Sequence, residues 1–112
     1  MLAEQARALA AEFGGTLVAT PFDAERVTRR WAICSGSGAD SNTLREAATR
    51  GFDTLIVGEG PHHTAIEARE LGIVILYAGH YATETLGVRA LAELTANRFG
   101  LTSTFIHAPS GL

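Results

Sequence analysis

The sequence predicts a layered α/β fold, a mostly parallel sheet flanked by helices, and three observations carry that prediction. Short apolar runs recur along the chain: Arg30-Trp31-Ala32-Ile33-Cys34, Thr54-Leu55-Ile56-Val57 and Ile73-Val74-Ile75-Leu76-Tyr77. Between them lie segments of helical character that end at glycine. The second and third runs are apolar almost without interruption rather than alternating, which indicates strands buried on both faces between helices.

The elements follow in order. Leu2, Ala6, Leu9 and Phe13 stand at helical spacing, and Gly14-Gly15 supplies the backbone freedom that ends a helix. From Thr16 to Arg29 the pattern is weaker: Leu17-Val18-Ala19 fits a short strand, and Pro21-Phe22-Asp23 marks a turn. The strand at 30–34 leads through a glycine-containing turn to a helix from about Ser41 to Arg50, stopped by Gly51. After the strand at 54–57, Thr64 with Glu67 three residues later reads as a capping box, and Gly72 closes that short helix. The strand at 73–77 is followed by a long helix, about Tyr81 to Phe99, with Val88, Leu91 and Leu94 on one stripe and Gly100 at its end. A final strand is expected at Thr102 to Ile106, before a tail with Pro109 and Gly111.

With 112 residues, 46% of them hydrophobic, the chain has the size of one compact domain able to bury a core without metal or disulfide staples. A net charge of -3 gives no basic face, so nucleic acid is not an expected partner. Cys34 is the sole cysteine, which excludes a disulfide framework and suits a reducing, cytoplasmic setting. The apolar character of the N-terminal stretch is interrupted by Glu4, Arg7 and Glu12, unlike a signal peptide, and no apolar run is long enough to span a membrane.

In parallel sheets the loops leaving the C-terminal strand ends gather on one rim. Here those loops are Ser35 to Asp40, Gly58 to His63 and Ala78 to Glu84. His80 and Glu84, four apart on a helix, can direct an imidazole nitrogen and a carboxylate oxygen at one ion, and both donors suit zinc, iron or manganese. The same pair also occurs on solvated helices. His62 and His63 are candidates for substrate contact or for supporting the site, against the alternative of an exposed turn after Pro61. Glu59 could serve as a general base or as a carboxylate that orients a histidine, against that of a surface ion pair. The Ser35–Gly38 turn lacks both the Walker lysine and a full dinucleotide fingerprint and reads as a tight structural turn. Cys34 reads as a small buried apolar residue and His107 as an exposed edge residue of the last strand.

Three segments, Trp31-Ala32-Ile33-Cys34-Ser35-Gly36-Ser37-Gly38, Thr54-Leu55-Ile56-Val57-Gly58-Glu59 and Ala78-Gly79-His80-Tyr81-Ala82-Thr83-Glu84, together resemble signatures of the dinuclear metal-centre family known as GTP cyclohydrolase I type 2, or NGG-interacting-factor-like. The chain is similar to the C-terminal half of that family. The resemblance implies that His80 and Glu84, matching the family's G-H-Y-x-x-E segment, are metal ligands. Gly58 and Glu59 match its T-G-E segment with Val57 in place of threonine, Ser35 replaces a glycine of its G-G-S-G turn, and His63 aligns with a histidine often seen a few residues after the T-G-E segment, without being a metal ligand. The His-His pair and aspartate of the family's N-terminal half have no counterpart here, and His62-His63 is not that pair.

The ligand set for a divalent metal is therefore incomplete in this chain, since a catalytic ion takes three or four protein donors. The remaining donors are expected from a separate N-terminal half or from symmetry in a homo-oligomer; the resemblance implies ring-shaped assemblies. Two functions compete. One is the metal-binding module of a metal-dependent hydrolase acting on a small molecule, GTP cyclohydrolase type 2-like, with Glu59 in a catalytic role. The other is a non-catalytic metal-binding or oligomer-forming adaptor.

Overall fold

The computed structural model describes residues 1–15 and 17–112; Thr16 lies outside the described residues. In chain order the elements are α1 (Leu2–Glu12), β1 (Val18–Ala19), β2 (Trp31–Cys34), α2 (Ser41–Thr49), β3 (Thr54–Val57), α3 (His62–Glu70), β4 (Val74–Tyr77) and α4 (His80–Phe99). They form the expected layered α/β arrangement. The sheet runs β1-β4-β3-β2, with β2, β3 and β4 parallel and β1 antiparallel to β4.

Register follows from the two-residue side-chain period of a strand. Leu55, Val57 and Ile75 join Leu44 and Ala47 of α2 and Ala68 of α3 in one core. Ile56, Val74 and Leu76 point the other way and meet Leu2 and Ala6 of α1, with Leu9 and Phe13 packed beside them. The unbroken apolar runs of β3 and β4 thus divide their side chains between two helical layers. Trp31 and Ile33 of the edge strand β2 remain exposed.

Three sets of local interactions fix the joints of the sheet. Asp40 caps α2, its carboxylate accepting from the backbone N–H groups of Asn42 and Thr43 at 2.8 Å each. Asp53 accepts from the N–H groups of Arg29 (2.9 Å) and Arg30 (3.1 Å) and from the Thr28 and Thr54 hydroxyls. Burial works against the Asp53 carboxylate, yet those hydrogen bonds prevail and hold its pKa below the ordinary value. Thr20 extends the β1 pairing, its N–H donating to the Ile75 carbonyl and its hydroxyl accepting from the Ile75 N–H.

The structure corrects several expectations. Thr64 does not open α3: Pro61, its φ fixed at -67°, occupies the N-cap, and helix begins at His62. The buried Thr64 hydroxyl donates to the Pro61 carbonyl and meets the Tyr77 hydroxyl, while Glu67 accepts from Ser41 and pairs with Arg45 of α2. No capping box forms because the helix begins two residues before Thr64. Cys34 is exposed rather than buried, because β2 is an edge strand.

The Thr102–Ile106 segment is not a strand. The tail follows α4 away from the sheet and runs back beside that helix, so that the Tyr81 N–H donates to the Leu112 carbonyl and the Ala108 N–H to the Tyr81 hydroxyl. His107 accordingly lies against Tyr81, ring centroids 5.5 Å apart, and not on a sheet edge. The stripe of Val88, Leu91 and Leu94 faces outward. No helix is long and apolar enough to cross a membrane among the described residues.

Candidate metal centre

The C-terminal ends of β2, β3 and β4 open into three loops that are tied to one another by backbone. Glu59 N–H donates to the Gly36 carbonyl at 2.8 Å, and Gly79 N–H to the Gly58 carbonyl at 2.9 Å. Gly36, with φ +65°, lies so close to the start of α4 that a Cβ there would stand 2.6 Å from Glu84 Oε1 and 3.1 Å from His80 Nε2. At Gly58 a Cβ would press on Thr83 Oγ1 at 2.7 Å and on the His80 Cα at 2.8 Å. At Gly58 the close backbone requires glycine by proximity, whereas at Gly36 the neighbours are side-chain ends and it is the positive φ that favours glycine.

Thr83 locks the loops to α4. It is 2% exposed; its hydroxyl accepts from the Gly36 N–H at 3.0 Å and donates to the Gly79 carbonyl at 2.9 Å. That anchor sets the first turn of α4, and with it the positions of His80 and Glu84, which project from this turn toward Gly36.

The two nitrogens of the His80 ring have different partners. Nδ1 lies 2.6 Å from Glu59 Oε1, and Nε2 lies 3.3 Å from Glu84 Oε1. Ser37 supports the arrangement, its hydroxyl donating to the same Glu59 oxygen at 3.1 Å and lying 3.4 Å from Nδ1. The hydrogen bond to Glu59 raises the His80 pKa above its ordinary value, with the Glu84 charge adding to it against a desolvation penalty. The Glu59 pKa is lowered in turn, first by the His80 hydrogen bond and then by Ser37.

A carboxylate on Nδ1 selects the tautomer that leaves the Nε2 lone pair outward, the arrangement in which histidines commonly bind metals. Two donors each about 2.1 Å from one tetrahedral ion stand about 3.4 Å apart, and the 3.3 Å between His80 Nε2 and Glu84 Oε1 meets that separation. The donor chemistry thus fits two positions of one coordination sphere. No group of three or more His, Cys, Asp and Glu side chains able to hold an ion occurs among the described residues.

Of the residues singled out in the sequence, His80, Glu84 and Glu59 come together, whereas His62 and His63 do not join them. Both histidines lie exposed in the first turn of α3. Glu59 makes the contacts of an orienting carboxylate, both of them through Oε1. Sequence reasoning passed over Ser37 and Thr83; their positions, one beside Gly36 in the glycine turn and one between His80 and Glu84, were the available signals.

The chain is thus an α/β fold with a mostly parallel sheet, a glycine turn after its edge strand and a histidine-carboxylate pair at the head of its long last helix. The family model described as Duf34/NIF3 (NGG1p interacting factor 3) matches residues 1–110, and the chain belongs to that family. A relative from Halobacterium salinarum, named GTP cyclohydrolase 1 type 2 homolog, is 52% identical over 81 residues, 72% of this chain and 31% of its own. One of the same name from Deinococcus radiodurans is 43% identical over 83 residues, 74% of this chain and 31% of its own. Among solved structures, the protein ybgI, described as of unknown function, superimposes with a TM-score of 0.85 at 34% identity, covering 98% of this chain and 44% of that one. TTHA1606 from Thermus thermophilus gives a TM-score of 0.73 at 32% identity, covering 96% of this chain and 42% of that one. The chain therefore spans less than half the length of these relatives.

Proposed function

We propose that this chain supplies two ligands, His80 and Glu84, to a divalent metal centre of a hydrolase whose other donors come from outside the matched region. The observation that carries the reading is the two-sided engagement of His80: Nδ1 held by Glu59, and Nε2 set beside Glu84 Oε1 at the spacing of neighbouring ligands on one ion. Zinc, iron and manganese all accept this donor set. When bound, such an ion lowers the pKa of a coordinated water and so supplies a nucleophile for hydrolysis of a polar small molecule.

The chain's own residues have separable tasks. Glu59 accepts the Nδ1 proton and holds the His80 ring in position, and Ser37 in turn orients Glu59. Glu84 contributes negative charge that favours a cation. Thr83 and Gly36 keep the two donors close and leave room above them. The name borne by the relatives from Halobacterium salinarum and Deinococcus radiodurans supports a nucleotide-type substrate for the completed site, and GTP is the first to try.

Elemental analysis of the purified, desalted chain beside the His80→Ala/Glu84→Ala double variant tests this reading. Metal held by the native chain and absent from the variant is the expected outcome. Equal metal content in the two removes His80 and Glu84 from the site.

The adaptor reading rests on a separate observation, the absence of a third donor among the described residues. It predicts assembly without turnover once the rest of the family's chain is present.

A further inference from the structure

α1 lies across one face of the sheet without covering it to the edge. Ile56 and Leu76 are buried on that face, at 6% and 1% exposed, whereas Trp31 of the edge strand β2 is 56% exposed. Between the helix and Trp31 runs a cleft of about 360 Å³, with Thr54, Ile56 and Leu76 at its floor and Gln5, Ala8 and Glu12 along its helical wall. That volume falls in the range of small-molecule sites, about 300–1,000 Å³.

The helical wall sets the length of the cleft. Gln5, Ala8 and Glu12 follow one another on one side of α1, and seven residues of helix rise by about 10 Å, room for a bicyclic ring system. Alanine at the middle position leaves open the space that a larger side chain would fill.

The lining also selects chemistry. The Thr54 hydroxyl donates to Asp53 and contacts the Thr28 hydroxyl, so the floor offers no free donor and suits an apolar body. Glu12 is the one charged residue among those lining the cleft, and no cation pairs with it among the described residues. It is also the last residue of α1, where the helix carbonyls add negative partial charge. Opposite stands the Trp31 indole, whose ring stacks on a second aromatic ring and attracts cations.

We propose that this cleft is a binding site for a flat aromatic cation, its rings held between α1 and Trp31 over Ile56 and Leu76, and its ammonium or amidinium group at Glu12. The unpaired carboxylate at a helix C-terminus disfavours an anion in the same place. No residue of the cleft belongs to the metal centre, so neither reading depends on the other.

The test is titration of the chain with naphthylmethylammonium, followed through the indole N–H resonance of Trp31, the sole tryptophan. The expected result is a saturating shift with a dissociation constant on the order of 1 mM for a probe of this size. Glu12→Gln should weaken the ammonium probe about fivefold and leave neutral naphthylmethanol unchanged, and Ala8→Phe should remove both. Amides of α2 and α3, on the other face of the sheet, report that each variant is folded. A Trp31 resonance that does not move, an equal response to anionic naphthoate, or binding that survives Ala8→Phe would each overturn the proposal. So would a Trp31 shift driven by protein concentration alone, which assigns the cleft to a second copy, or release of the probe by the unmatched part of the Halobacterium salinarum relative, which assigns it to polypeptide.

Discussion

Glu59 Oε1 and His80 Nδ1, twenty-one residues apart in sequence, lie 2.6 Å apart across the loops that leave β3 and β4. The contact converts a generic histidine into one with a fixed ring and an outward Nε2. It also links the protonation of the two groups, because each stabilises the other's charged form.

The first prediction concerns that linkage. Proton NMR of His80 should give a titration midpoint above the ordinary 6.5, and Glu59→Gln should lower it. The sign follows from the shifts. The raised His80 pKa contributes stability that is present below 6.5 and is lost as pH rises through the folded value. The lowered Glu59 pKa contributes stability that is present above 4.5 and is lost as pH falls through its folded value. Metal uptake should run opposite to His80 protonation and strengthen as pH rises through the same midpoint. A midpoint unmoved by Glu59→Gln would separate the two groups in solution.

Gly36→Ala should separate binding from folding. The added Cβ meets Glu84 Oε1 at 2.6 Å and His80 Nε2 at 3.1 Å, so it lies over the donor pair. The φ of +65° costs a non-glycine residue about 1–2 kcal/mol. Calorimetric metal titration should show binding lost, while circular dichroism shows a folded chain with modestly reduced stability. Retained binding would mean that the ion does not sit between those donors.

Thr83→Val keeps the volume of a buried side chain and removes its hydroxyl. The Gly36 N–H then loses its acceptor and the Gly79 carbonyl one of its donors. Urea unfolding should show a loss of about 1–3 kcal/mol. Thr83→Ser retains the hydroxyl and should recover most of that loss.

Asp53→Ala should loosen the entry of β2, since one carboxylate accepts from two backbone N–H groups and two hydroxyls there. A loss of about 1–2 kcal/mol follows, since the two backbone donors are exposed and turn to water while the part-buried hydroxyls lose their acceptor. Because the folded pKa is lowered, this contribution is present above 3.8 and fades as pH falls through the folded value. The variant should therefore show a flatter acid limb in stability measured against pH.

The sequence by itself determined β2, β3 and β4 and their layering. β3 and β4 are apolar without interruption, which only burial on both faces explains, and helices end where Gly51, Gly72 and Gly100 permit left-handed backbone. It also brought out His80, Glu84 and Glu59, because the rim of a parallel sheet gathers the residues after each strand. Tertiary structure decided the rest. α3 starts after Pro61, and Thr64 and Glu67 lie inside it, engaged with Tyr77, Ser41 and Arg45, which local pattern does not encode. His62 and His63 share the rim's sequence segment with Glu59 yet stand exposed in the first turn of α3, with no contact to the His80 cluster. Thr102–Ile106 has the side chains of a strand but pairs with neither edge of the sheet, because strand formation needs a placed neighbour and local sequence supplies only the preference.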